Sequence, residues 1–238
     1  MKKMYFGIIA FVVISAFTFT QCGNGCKGPK PTSEWKELYD VFSSIPTNKV
    51  FSQIEECKNP DLEVKYILST KSELDTALVT LRRLADKSHK VTDLSDKTAF
   101  TKQIVQLQGM STSIQEVTNE FKTHLVFAVS FLGTEPTNNY DRAKKALMSV
   151  DNSIMETGQT VLNELTNYDA VQTSFGGVLA KILAFVSNGD LKSAANELGG
   201  EEVYNYYLST AKMLKSIYDF EVARALSVKE AYDAYNVK

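Results

Sequence analysis

Two histidines and three cysteines in 238 residues leave too few side chains for a metal centre or a histidine-based active site, each of which gathers several such groups. Proline and glycine are also sparse, at 5 and 12 residues, which excludes a collagen-like or low-complexity chain. Basic charge is not in surplus: 26 Lys and Arg stand against 28 Asp and Glu. Nothing therefore drives sequence-independent attraction to a phosphate backbone, and no nucleic-acid partner is expected. The motifs of the commoner enzyme classes are missing as well. There is no Gly-x4-Gly-Lys-Ser/Thr phosphate loop, no Gly-x-Ser-x-Gly elbow, no His-Glu-x-x-His and no Gly-x-Gly-x-x-Gly following a strand. The expectation is a non-enzymatic protein with no catalytic residue, cofactor or metal.

What is present is helical. A content of 44% hydrophobic and 23% charged residues is that of a globular chain, long enough to bury a core without disulfides. No stretch alternates apolar and polar long enough to demand a sheet. After Ser33, a candidate N-cap, Leu38, Val41, Phe42 and Ile45 share a helix face that Pro46 ends. Phe51, Ile54 and Cys57 mark a shorter helix closed by Asn59-Pro60, and a third runs from about Asp61 to Ser88. The fourth, from near Ser95, repeats Phe100, Ile104, Leu107, Ser111, Ile114, Thr118, Phe121, Leu125, Ala128 and Leu132 at spacings of four and three. Gly133 to Pro136 breaks it. A fifth stripe then follows through Tyr140, Ala143, Leu147, Val150, Ile154, Thr157, Val161 and Leu165.

These two long stripes predict the central antiparallel pair of an all-α helical bundle. A sixth helix, 169–187, is apolar on a wide face and is expected to be the most buried, with Asn188-Gly189 as its cap. A short helix at 190–198 and a last one at 201–236 complete a single domain over 34–238.

The start of the chain points to export. Lys2 and Lys3 precede an uncharged, mostly apolar run from Phe6 to Thr20, shorter than the roughly 20 residues that span a bilayer. The run gives way at once to Gln21, Cys22, Gly23 and Asn24. Residues 1–21 read as a signal peptide and 22–33, rich in Gly and Pro, as a flexible tether. Phe19-Thr20-Gln21-Cys22 resembles the lipobox of bacterial lipoproteins in its looser, spirochaetal form, and the first 30 or so residues resemble surface lipoproteins of Borrelia and its relatives. The resemblance implies a mature protein that begins at an acylated Cys22, is held in the membrane by lipid at the outer membrane or cell surface, and binds a host or envelope macromolecule through its helical faces. A periplasmic helical module with a structural or small-ligand role is the alternative.

Removing residues 1–21 takes away two Lys and no acid, leaving 24 basic against 28 acidic residues, or −4. Such a balance gains nothing from an anionic membrane surface, so attachment falls to the acyl chains. With Cys22 acylated, Cys26 and Cys57 remain, and their spacing leaves open both a disulfide and two free thiols.

Tyrosine is the one unevenly distributed residue of the body. Six of the 11, at 204, 206, 207, 218, 232 and 235, fall in the last helix. One reading packs them against the bundle. The other makes Tyr204, Tyr206, Tyr207, Tyr232 and Tyr235 candidates for partner binding, because an apolar ring with a polar tip suits an interface. His89 and His124 are expected at the surface or boundary, and Trp35 as a staple for the first helix.

Overall fold

The computed structural model describes residues 35–45, 48–57, 61–89 and 97–236. Ser33, the tether and the signal segment lie outside them. Among the described residues there are eight helices and no strand: α1 Lys36–Ser44, α2 Val50–Glu55, α3 Leu62–His89, α4 Lys97–Gly133, α5 Asn139–Val150, α6 Asn152–Ser187, α7 Leu191–Leu198 and α8 Glu201–Asn236. The all-α bundle read from periodicity is the fold.

Short polar side chains set where the helices begin. Asp61 Oδ1 accepts from the Val64 amide at 2.9 Å, Asn138 Oδ1 from Asp141 at 2.8 Å, Asp151 Oδ1 from Ser153 at 2.8 Å and Asp190 Oδ1 from Ser193 at 3.1 Å. Each satisfies an amide that the helix cannot pair internally. At the far end of α6, Gly189 takes φ +79, a left-handed conformation open to a residue without Cβ. From there the Asp190 amide reaches back to the Phe185 carbonyl at 2.9 Å.

The fifth stripe is not one helix. It breaks at Asp151, whose extended backbone (φ −77, ψ 102) ends α5 and caps α6, while its other oxygen accepts from Ser227 at 2.9 Å. The break re-phases what precedes it: Val150 is exposed, and Lys144 and Met148 are the buried residues of α5. No boundary falls near 166–168 either, so α6 continues unbroken through Tyr168, which is fully buried.

The long antiparallel hairpin exists, with α4 running against α5 and α6. Lys122 meets Asp169 at 3.3 Å at one level, and Lys145 donates to the Thr134 carbonyl at the other. The broadest packing, however, is between α6 and α8. Phe175 lies on Tyr206, Gly158 opposite Phe220 and Asp151 against Ser227. Helix α8 also lies against α1, α2, α3, α5 and α7, and α4 reaches it where Phe121 meets Phe220 at 5.9 Å between centroids. It is the axis of the bundle, buried on nearly all sides through its middle third.

The helix expected to be most buried, 169–187, is therefore displaced by α8. Only Phe175, Val178, Ile182 and Val186 of that segment are buried. The rest of its apolar face, Val171, Leu179 and Leu183, is half-buried, and Gly176, Gly177, Ala180 and Ala184 are exposed. By length and composition α6 could cross a membrane. In the fold it is a bundle helix with one face on α8.

Candidate functional site

The tyrosines of α8 divide by position. Tyr206 and Tyr207 are fully buried, which corrects their reading as partner-binding residues. Tyr206 stacks on Phe175, with centroids 3.8 Å apart and planes 6° from parallel. The Tyr207 hydroxyl shares a 2.7 Å hydrogen bond with Ser88 of α3. A helix surrounded by other helices has few outward positions, so even adjacent residues, which point about 100° apart, both end inside. Tyr204 and Tyr232 are half-buried, Tyr204 against Trp35 at 5.4 Å and Tyr232 against Tyr140 at 4.7 Å. Tyr235 alone among these candidates is exposed. The five do not converge on a surface.

His124 is buried, contrary to the boundary position expected of it. Its Nδ1 lies 2.7 Å from Thr70 Oγ1 and its ring 4.5 Å from that of Tyr66. Burial, with the nearby Arg224 cation, lowers its pKa, so it is a neutral interior imidazole. The side chain of His89, and the whole of Cys22 and Cys26, lie outside the described residues. No disulfide joins Cys57 to a described residue. Its thiol is half-buried, donates to the Gln53 carbonyl at 3.6 Å and is pushed up in pKa by burial. Among the described residues no three His, Cys, Asp or Glu side chains group as metal ligands.

A buried ionic cluster was not legible in the sequence. Arg224 of α8, wholly inaccessible to solvent, donates to Glu63 Oε1 at 2.7 Å and 3.1 Å and to both Glu221 oxygens at 2.9 Å and 3.1 Å. Lys144 of α5 follows, 2.5 Å from Asp61 and 3.9 Å from Glu63 Oε2, with its ammonium 4.5 Å from the Phe131 ring centroid. Two cations thus face the two innermost carboxylates, and the interior charge is balanced. Burial nevertheless pushes the Glu221 carboxyl up to about 7 against the pull of Arg224. The cluster ties α3, α5 and α8 together, an architectural role.

Between α3 and α4 a groove of about 470 Å³ carries Glu73 and Glu120. Partial burial and the hydrogen bond to Glu120 push the Glu73 carboxyl up from 4.5 to about 7. The folded state thus holds a proton that the unfolded chain has released, and stability falls as pH rises between about 4.5 and 7. Glu73→Gln should flatten this slope without abolishing it, since Glu221 titrates in the same direction. Urea unfolding across that pH range reads the change, and an unaltered slope would show that the two carboxylates do not share a proton.

A second groove has a different character. Helices α4 and α6 diverge and leave a trough of about 500 Å³. Its rim carries Val126, Val129, Met155 and Leu162, which are 66%, 63%, 65% and 48% exposed. The floor is Ala128, Phe220 and Gly158, where an added Cβ would stand 3.3 Å from the Phe220 ring. Ser130 and Gln159 are the polar lining residues, and no charged side chain lines it. Large aliphatic side chains this exposed and this close together mark a contact surface. Sequence reasoning missed this face, although two signals could have found it: the uncharged run from Leu125 to Gly133, and Val126 and Val129 falling off the buried stripe.

No family model, no curated protein and no solved structure matches this chain.

Proposed function

We propose that this is a non-enzymatic, lipid-anchored envelope protein, placed at the outer membrane or cell surface, that binds another molecule through one helical face. The lipobox-like Phe19-Thr20-Gln21-Cys22 after a short apolar run supports the anchor. The observation that carries the binding role is the grouping of Val126, Val129, Met155 and Leu162 on the α4–α6 face. That face takes the place of the α8 tyrosines as the contact surface. A host or envelope macromolecule is the partner class that the resemblance implies. The uncharged lining of the trough, about 500 Å³ in volume, favours the small-ligand role as a second reading.

Anchoring has a direct test. Cys22→Ala should move the protein from the membrane to the soluble fraction, and mass spectrometry of the N-terminal peptide should find acylated Cys22. An unmodified Cys22, or a mature start elsewhere, ends the lipoprotein reading. Trimming by protease added to intact cells separates a surface location from a periplasmic one.

A further inference from the structure

The outer face of α6 has no cover among the described residues. From Met155, Gln159 and Leu162 to Gly177, Ala180 and Ala184, residues at spacings of three and four form one exposed row without a charged side chain. The row is roughly 44 Å long at 1.5 Å per residue. The most apolar 18 residues of the helix are only 22% buried. A Cβ added at Gly176 or Gly177 would meet nothing within 4 Å. No described residue therefore requires two poor helix formers in mid-helix, whereas an approaching helix would.

The row is large at one end and small at the other. Its midpoint lies between Asp169 and Ala170, and positions equidistant from it pair Met155 with Ala184, Gln159 with Ala180 and Leu162 with Gly177. Two copies of α6 laid antiparallel about a two-fold axis at that midpoint set each large side chain against a small one, as ridge-into-groove packing requires.

Charge agrees. Glu156 and Lys181 fall within about 20° of each other on one margin of the row, which a two-fold axis in the interface plane carries onto the same margin of the second copy. Antiparallel pairing then brings Glu156 and Lys181 of opposite copies to within two residues, roughly 3 Å, in height. Lys181 is 54% exposed and bonds Glu197 in its own chain, so it can reach both. Asp169 meets its copy near the axis, but each brings Lys122 and the charge there is balanced.

The area is of the right order. A strip of that length and about 10 Å wide buries roughly 900 Å² over two copies. Val126 and Val129, beside the row on α4 and 66% and 63% exposed, carry the total toward the roughly 1,200 Å² at which stable interfaces begin. A bilayer is the poorer occupant, because the row includes Gln159, Thr166 and Thr173 and no aromatic residue.

Resting on the contact face assigned above, we infer that its occupant is a second copy of this chain, bound through an antiparallel α6–α6 pair whose two-fold axis lies beside Ala170. Analytical ultracentrifugation of the full chain tests this, and a dimer that dissociates on dilution is expected. Gly177→Leu should weaken the dimer by about ten-fold or more, because it fills the place of Leu162 of the second copy, and should leave circular dichroism unchanged. Glu156→Lys should weaken it several-fold, and Lys181→Glu added to it should restore it. In a Cys26→Ser/Cys57→Ser background, Ala170→Cys should give a disulfide-linked dimer under mild oxidation. Ala184→Cys, roughly 44 Å from its own copy, should not.

A monomer at every concentration, a dimer indifferent to Gly177→Leu, or one that Ala170→Cys fails to cross-link overturns the second-copy assignment. The contact-face reading is judged separately with the apolar dye anilinonaphthalene sulfonate on the monomeric protein. Dye fluorescence that Val129→Glu and Met155→Glu abolish keeps the contact face and gives it another occupant. A dye response indifferent to both substitutions removes the contact face as well.

Discussion

Replacing Arg224 with methionine should lower the unfolding free energy by about 3–5 kcal/mol, the range for removing one partner of a buried ion pair. The side chain is wholly inaccessible and satisfies Glu63 and Glu221 at once. Without it two carboxylates face each other in the interior with only Lys144 nearby, and Glu63 Oε2 lies 3.9 Å from that ammonium, beyond hydrogen-bond reach. The loss should shrink as pH falls. Carboxyls that must be buried unpaired take up protons, and their folded pKa values then exceed the unfolded ones, so the folded state regains stability toward acid. Urea melts at pH 5 and pH 8 check both statements. The triple change Glu63→Leu, Arg224→Met and Glu221→Leu should recover most of the loss, because no uncompensated charge remains. A single variant as stable as the parent at pH 8 would show that the cluster is hydrated rather than dry.

Tyr206→Ala should cost about 3–5 kcal/mol, the range for truncating a buried aromatic. The ring stacks on Phe175, lies 6.3 Å from Tyr168 and packs beside Tyr207. The cavity would open on the α6–α8 seam, where the two longest-paired helices have little freedom to collapse. Tyr207→Ala should behave alike, with Ser88 losing its partner. Tyr235→Ser, at the exposed end of the same helix, should stay within about 0.5 kcal/mol. Thermal unfolding of the three variants decides whether the cluster is core. Equal, small effects at all three positions would return Tyr206 and Tyr207 to the surface.

How much of this could be read from the sequence depends on how local the deciding interaction is. The stripe from Phe100 to Ala128 is buried at Phe100, Ile104, Leu107, Ile114, Thr118, Phe121 and Ala128, because a spacing of three and four is itself the geometry of one helix face. Asn188-Gly189 was legible for the same reason, since a left-handed cap is a property of one residue. The break at Asp151 was hidden because the apolar spacing runs straight across it, and an aspartate reads as a solvated position until its side chain is seen to cap Ser153 and hold Ser227. The Arg224 cluster was hidden more deeply. Glu63 and Arg224 are 161 positions apart, and charged residues in a helix give no sign of facing inward until the partner helix is in place. The tyrosines misled through an assumption that α8 had an outside. The groove was half visible: apolar residues off the buried stripe of α4 are readable, but the divergence of α4 from α6 that turns them into a trough is not.

The position of α8 at the centre of the bundle bears on how the protein is made. Helices α1, α2, α3, α5, α6 and α7 all pack on an element that leaves the ribosome after them. Through most of synthesis the chain is a set of amphipathic segments lacking the surface they need, and the core can close only once residues 201–236 are available. The export proposed above fits such an order, since late closure keeps a chain threadable. A chain stopped before Glu201 would fail as a whole rather than fold into a smaller bundle. It would present the uncovered stripes of α3, α4 and α6 to proteases and to its own copies.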